Sequence, residues 1–139
     1  MHNFTKGLHL IFTGYVKPEY SSLLLDKEYL SDTLTECVGL VGMEILLDPI
    51  MVEVEISPEN QFTDLDDGGV TGVSILSTSH VSIHTWPLHD RLSFDLYSCH
   101  DFDYLAVMDY LTDRLCLSGG DIHIIDRTPP ENKLGFNYL

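Results

Sequence analysis

The stretch from Gly69 to Cys99, GVTGVSILSTSHVSIHTWPLHDRLSFDLYSC, constrains this chain more than any other. Val70 to Leu76, Val81 to Trp86 and Arg91 to Ser98 each read as a β-strand, on their content of Val, Ile, Phe and Tyr. Polar residues able to do chemistry fall between these runs. Ser77-Thr78-Ser79-His80, a hydroxyl cluster ending in an imidazole, separates the first two. His84, His89 and Cys99 follow.

The remaining chain supplies elements on either side. Leu8 to Thr13 is apolar and β-prone and reads as a first strand; Gly14 to Ser22, punctuated by Pro18, reads as a connection. A helix is expected from about Asp26 to Leu40, because Leu30, Leu34, Cys37, Val38 and Val41 recur on one face. Asp26 serves as its N-cap and Gly42 as its stop. Glu44 to Ile56 resumes strand character, interrupted by Asp48-Pro49, and 57–68 is an acidic surface loop. Beyond Cys99, Asp101 or Asp103 can cap a second helix carrying Tyr104, Val107, Met108, Leu111 and Leu115 on one stripe. Gly119-Gly120 is expected to end it, before a last strand from Asp121 to Asp126 and an irregular tail. The order β-α-β-β-β-β-α-β predicts one α+β domain over residues 1–139. It is a two-layer sandwich, with two helices on one face of a mainly antiparallel sheet.

Composition narrows the function classes. At 44% hydrophobic and 21% charged residues the chain reads as soluble and globular. No apolar run approaches the roughly 18 residues of a membrane span, and the N-terminus lacks a secretory pattern, so cytoplasmic residence is the expectation. A net charge of −15 repels nucleic acid and favours a small cationic substrate, although a merely solubilising surface accounts for it equally. Three cysteines without a Cys-x-x-Cys pattern argue against a disulfide framework or zinc knuckle. Cys37 and Cys116 read as small hydrophobes on helix faces. Cys99, which precedes His100 and Asp101, is the thiol with functional potential. No metal site is expected: His80 and His84 lie four residues apart on a strand, about 13 Å, too far to share an ion. Trp86 and Phe94 read as core.

Gly69-Val70-Thr71-Gly72-Val73, Ser77-x-Ser79-His80-x-x-Ile83-His84-Thr85-Trp86-Pro87 and Asp95-Leu96-Tyr97-Ser98-Cys99 together resemble the S-adenosylmethionine decarboxylases of the small prokaryotic type. Gly7-x-His9-Leu10 is a weaker match. The resemblance implies a proenzyme that cuts itself between Thr78 and Ser79. The Ser79 hydroxyl attacks the Thr78 carbonyl, the amide becomes an ester, and loss of the Ser79 α-proton eliminates the upstream chain. The dehydroalanine left behind hydrolyses to a pyruvoyl group, the covalent cofactor. That ketone forms a Schiff base with a substrate amine and withdraws electrons as CO₂ leaves. By the same resemblance His84 moves protons during processing and Cys99 returns one to the substrate carbon; Thr71 replaces a family Ser whose hydroxyl assists processing, keeping the hydroxyl and adding a methyl. A homodimer of processed protomers with active sites near its interface is also implied, as is a place in spermidine biosynthesis.

Two positions depart from the family pattern. Thr78 stands where the family carries Glu. Leu88 stands where a Glu holds the ribose hydroxyls of S-adenosylmethionine, and leucine accepts no hydrogen bond. His89 or Asp90 can substitute one or two residues along, Asp90 being the better placed, unless Arg91 neutralises it as an ordinary surface pair. Taken singly, Ser79 reads as turn chemistry and His84 as a structural strand histidine; the joint spacing of Ser79, His84 and Cys99 carries the functional reading. Three hypotheses follow in order: a pyruvoyl-dependent S-adenosylmethionine decarboxylase, a decarboxylase of arginine or ornithine built the same way, and an uncleaved non-catalytic homologue that regulates an active partner.

Overall fold

In the computed structural model, residues 6–55, 58–59 and 68–139 are described. Strand β1 (Leu8–Val16) leads through a 3-10 segment (Pro18–Leu25) to helix α1 (Lys27–Leu40). Strands β2 (Ile45–Val54), β3 (Gly69–Leu76), β4 (Ser79–Trp86) and β5 (Arg91–Ser98) follow, with a short 3-10 turn (Pro87–His89) before β5. Helix α2 (Tyr104–Arg114) and strand β6 (Leu117–Asp126) complete the order. The strands form one antiparallel sheet in the order β2-β3-β4-β5-β1-β6.

Strand alternation sorts the side chains onto two faces. Leu10, Phe12, Val81, Ile83, Leu92, Phe94 and Leu96 are buried beneath the helices. Leu30, Leu34, Cys37 and Val38 of α1, with Val107, Met108 and Leu111 of α2, close the same core. Among the described residues the opposite face has no helical cover. The fold is therefore the α+β sandwich expected from the element order, with both helices on one side.

Local chemistry sets the helix ends. The Asp26 carboxylate accepts the Tyr29 N–H at 3.0 Å, and Asp103 accepts the Ala106 N–H at 3.0 Å. Asp103, and not Asp101, caps α2. Past α1, Gly42 adopts φ +76°, a left-handed position that suits glycine.

Several boundaries differ from the sequence expectation. β1 runs on to Val16, and part of the connection after it is 3-10 helix. Asp48-Pro49 does not break β2: as a sheet-edge strand it absorbs them with register shifts between Ile45 and Leu47 and between Leu47 and Ile50. Ile56 and most of the 57–68 loop lie outside the described residues. α2 stops at Arg114, and Gly119-Gly120 belong inside β6. The reason is crowding: a Cβ on Gly14 would fall 2.3 Å from the Gly119 carbonyl oxygen, so β1 and β6 meet backbone to backbone there. Cys116 is not on a helix face but is the left-handed residue (φ +53°) that turns α2 into β6. Phe94 is core, whereas Trp86 is half-buried on the open face, with the Arg91 guanidinium 4.6 Å from its ring centre.

Candidate active site

Leu76 and Ser79 pair across β3 and β4, so Ser77-Thr78 is a two-residue hairpin loop. Thr78 adopts φ +59°. A left-handed position in a tight turn normally belongs to glycine or asparagine. An L-residue there costs roughly 1–2 kcal/mol, and a β-branched one is a genuine outlier. The strain sits on the residue whose carbonyl precedes Ser79.

Two contacts hold Thr78 in place. Its hydroxyl donates to the Ser77 carbonyl at 2.6 Å, and its Oγ1 lies 2.9 Å from Cys99 Sγ. Ser79 pairs with Ser98 on β5, which brings the ends of β4 and β5 together. The buried Ser98 hydroxyl accepts the His100 N–H at 3.1 Å and shapes the turn after Cys99. A cleft of about 280 Å³ opens beside this tip, lined by Val41 to Glu44, Ser77 to Ser79, Ser98, His100 and Asp101. Glu44 and Asp101 make its rim acidic.

The second group of expected site residues lies elsewhere. Thr71 and His84 pair across β3 and β4, with Thr71 Oγ1 3.1 Å from His84 Nδ1. Both sit on the open face. His84 is five residues along β4 from Ser79, about 16 Å at strand rise, and on the opposite side of the strand by alternation. One chain thus assembles Thr78, Ser79 and Cys99 in one place and Thr71 and His84 in another. It does not bring the two sets together.

Leu88 and Asp90 lie at the far end of β4, in the turn leading to β5. Leu88 is 42% exposed. Asp90 takes φ +56°, and its carboxylate accepts a hydrogen bond from the Ser21 hydroxyl. That contact ties the turn to the 3-10 segment. Thr85 ties it again from the core side, donating to the Leu24 carbonyl at 2.7 Å and accepting the Val70 N–H at 2.9 Å.

Sequence reading underweighted one feature of the open face. His9, Tyr97 and His80 occupy one cross-strand row over β1, β5 and β4. Their ring centres lie 5.5 to 6.2 Å apart. Arg127 lies over Tyr97 at 4.5 Å, and Asp95 Oδ1 approaches His9 Nε2 at 3.2 Å without hydrogen-bond alignment. Burial lowers the His9 pKa below its ordinary value, against the pull of Asp95. The only sequence signal was the short Gly7-x-His9-Leu10 match; the row itself depends on strand register.

Comparison with known proteins agrees with this architecture. The family model for S-adenosylmethionine decarboxylase matches residues 9–128. A relative from Hydrogenobaculum sp., named S-adenosylmethionine decarboxylase proenzyme, is 35% identical over 97% of this chain and 91% of its own. A protein from Caldivirga maquilingensis named arginine decarboxylase proenzyme is 31% identical over 88% of this chain and 84% of its own. The crystal structure of the adenosylmethionine decarboxylase from Aquifex aeolicus superposes with a TM-score of 0.71 at 25% identity, covering 96% of this chain and all of that one. The fold and these relatives together place the molecule in a family of decarboxylase proenzymes. The chain belongs to the S-adenosylmethionine decarboxylase family.

Proposed function

We propose that this chain is a self-cleaving proenzyme that becomes a pyruvoyl-dependent decarboxylase of S-adenosylmethionine. The observation that carries the reading is the strained Thr78 immediately before Ser79, at a hairpin tip that also holds Cys99. Ser79 Oγ attacks the Thr78 carbonyl carbon and the C–N bond becomes an ester. Loss of the Ser79 α-proton then expels the Thr78 carboxylate. Water converts the remaining dehydroalanine to the pyruvoyl group and ammonia. Relief of the left-handed Thr78 favours this direction.

The residues at the tip fit such a group. Ser79 opens into the acidic cleft, where Glu44 and Asp101 favour a cationic substrate. Once formed, the group supplies an electrophilic ketone that accepts the substrate amine and withdraws electrons. Cys99 contributes the proton that replaces CO₂ on the substrate carbon.

His84 cannot serve Ser79 of its own chain across about 16 Å of strand. We infer that a second copy supplies Thr71 and His84 to each tip, so that the working unit is a homodimer. The open face supports pairing: Leu47, Ile50, Val52, Val73 and Ile75 form an exposed apolar patch on β2 and β3, each between 37% and 53% accessible. The place in spermidine synthesis follows from the substrate.

A second reading retains the processing chemistry but takes arginine. It is favoured by Leu88, which offers ribose hydroxyls no acceptor, and by the similarity to a protein named arginine decarboxylase proenzyme.

Intact mass tests the core of the reading. Two species, residues 1–78 and a pyruvoyl-blocked 79–139, are expected in place of one near 15.7 kDa. A chain that stays whole through long incubation at several pH values would falsify it. Release of labelled CO₂ from S-adenosylmethionine, arginine and ornithine, compared side by side, then decides the substrate.

A further inference from the structure

The short Thr78–Cys99 contact has a direction. A hydroxyl carries one proton, and that of Thr78 goes to the Ser77 carbonyl at 2.6 Å. Toward Cys99 Sγ, 2.9 Å away, the Thr78 oxygen offers only a lone pair. The thiol is therefore the donor, with its proton engaged and its sulfur held against the loop. Thr78 holds its left-handed φ at the hairpin tip while its side chain meets Cys99 just past the end of β5.

We propose that Thr78 is a positioning residue that keeps the Cys99 thiol in reserve until the Thr78–Ser79 bond is broken. The inference rests on the cleavage reading for its second half only. In the uncut chain the contact keeps the thiol proton engaged on the Thr78 oxygen and the sulfur against the loop, which slows its reaction with electrophiles. After cleavage Thr78 is a chain end, no longer bound to Ser79 and no longer forced into the left-handed conformation. The contact is lost, and Cys99 is released to face substrate. Covalent processing and deployment of the proton donor are thereby coupled through one side chain, with no change elsewhere in the sheet.

The test is the rate of native-state alkylation of Cys99 by iodoacetamide, followed by peptide mass. Cys37 is silent under these conditions, since burial pushes its thiol up to about 12, and Cys116→Ser removes the other half-buried thiol. In the uncleavable Ser79→Ala chain, alkylation is expected to be slow. Adding Thr78→Val, which keeps the branched shape and removes the acceptor, is expected to speed it about two- to tenfold, the worth of one hydrogen bond. Thr78→Ser, which keeps the acceptor, is expected to leave it slow. Cleaved wild-type protein is expected to match the Thr78→Val rate. Equal rates for the Ser79→Ala chains with and without Thr78→Val overturn the proposal, as does a Thr78→Ser chain as fast as the valine one. A cleaved wild type as slow as the uncut chain overturns the release step. A wild type that never splits sinks the cleavage reading instead, and the three Ser79→Ala chains still decide the contact.

Discussion

The hairpin tip and the open-face pair are built by different means. At the tip, the proposed function rests on an irregularity: a two-residue loop holds Thr78 at φ +59° with its hydroxyl against Cys99. At the pair, the proposed function rests on regularity: Thr71 and His84 meet because two strands keep register. The tip is strained, whereas the pair carries a hydrogen-bonded imidazole in an unstrained setting. On the proposed roles, a nucleophile and an imidazole separated in this way within one chain would join only on association, and a monomer is expected not to cut itself.

The largest effects should come from separating the two regions genetically. Ser79→Ala is expected to abolish splitting, and His84→Ala to slow it by about 10²- to 10⁴-fold, the usual worth of a positioned proton carrier. Mixing the two variants after dissociation and reassociation restores one complete site in each mixed dimer. With random pairing, about half of the His84→Ala chains should then split, the fraction expected when association brings in a partner's imidazole. No splitting in the mixture, on a denaturing gel, would confine each site to a single chain.

Cys99→Ala should spare the cut and strike turnover. Labelled CO₂ release or its product pattern is expected to fall by about 10²-fold or more, or to shift toward misprotonated product, while the 1–78 fragment still appears. A Cys99→Ala protein with full turnover would take the thiol out of the reaction.

The far end of β4 gives a smaller, opposite effect. Leu88→Glu supplies a carboxylate where the chain has exposed leucine. If the adenosyl pocket is otherwise intact, S-adenosylmethionine turnover at low substrate should rise about ten- to a hundredfold, the value of one or two hydrogen bonds to a charged acceptor. Efficient wild-type turnover of S-adenosylmethionine that Asp90→Ala leaves unchanged would show that neither position holds the ribose.

The smallest effect concerns pH and the open-face histidine row. His9 is kept neutral by burial, so its folded pKa lies below the ordinary 6.5. The unfolded chain then binds more protons between the folded value and 6.5, and stability falls as pH drops through that window. Asp95, Arg127 and His80 face the same ring: the carboxylate opposes the shift, and Arg127 and His80 add to it. Denaturant midpoints measured from pH 7.5 down to 5 should decline less steeply in His9→Gln. An identical slope in both proteins would show that His9 does not titrate differently on folding.

Much of this molecule is written locally. Helical periodicity announces Leu30, Leu34, Cys37 and Val38, and Val107, Met108 and Leu111, because helix neighbours lie three and four residues apart in sequence. The spacing of Ser79, His84 and Cys99 carries the family resemblance, and the family match over residues 9–128 agrees with it. Asp26 as a cap is equally local. Other features answer to partners far along the chain. Gly119-Gly120 reads as a helix stop until β1 lies against it and leaves no room for a Cβ on Gly14. The aromatic row of His9, Tyr97 and His80 exists only through the pairing of β1, β5 and β4. The division of the site into two groups is decided by strand geometry: five residues that look adjacent in sequence span about 16 Å in a strand and change face, a separation that spacing alone does not reveal. Sequence determined which chemical groups the protein has; the sheet decided which of them one chain can bring together.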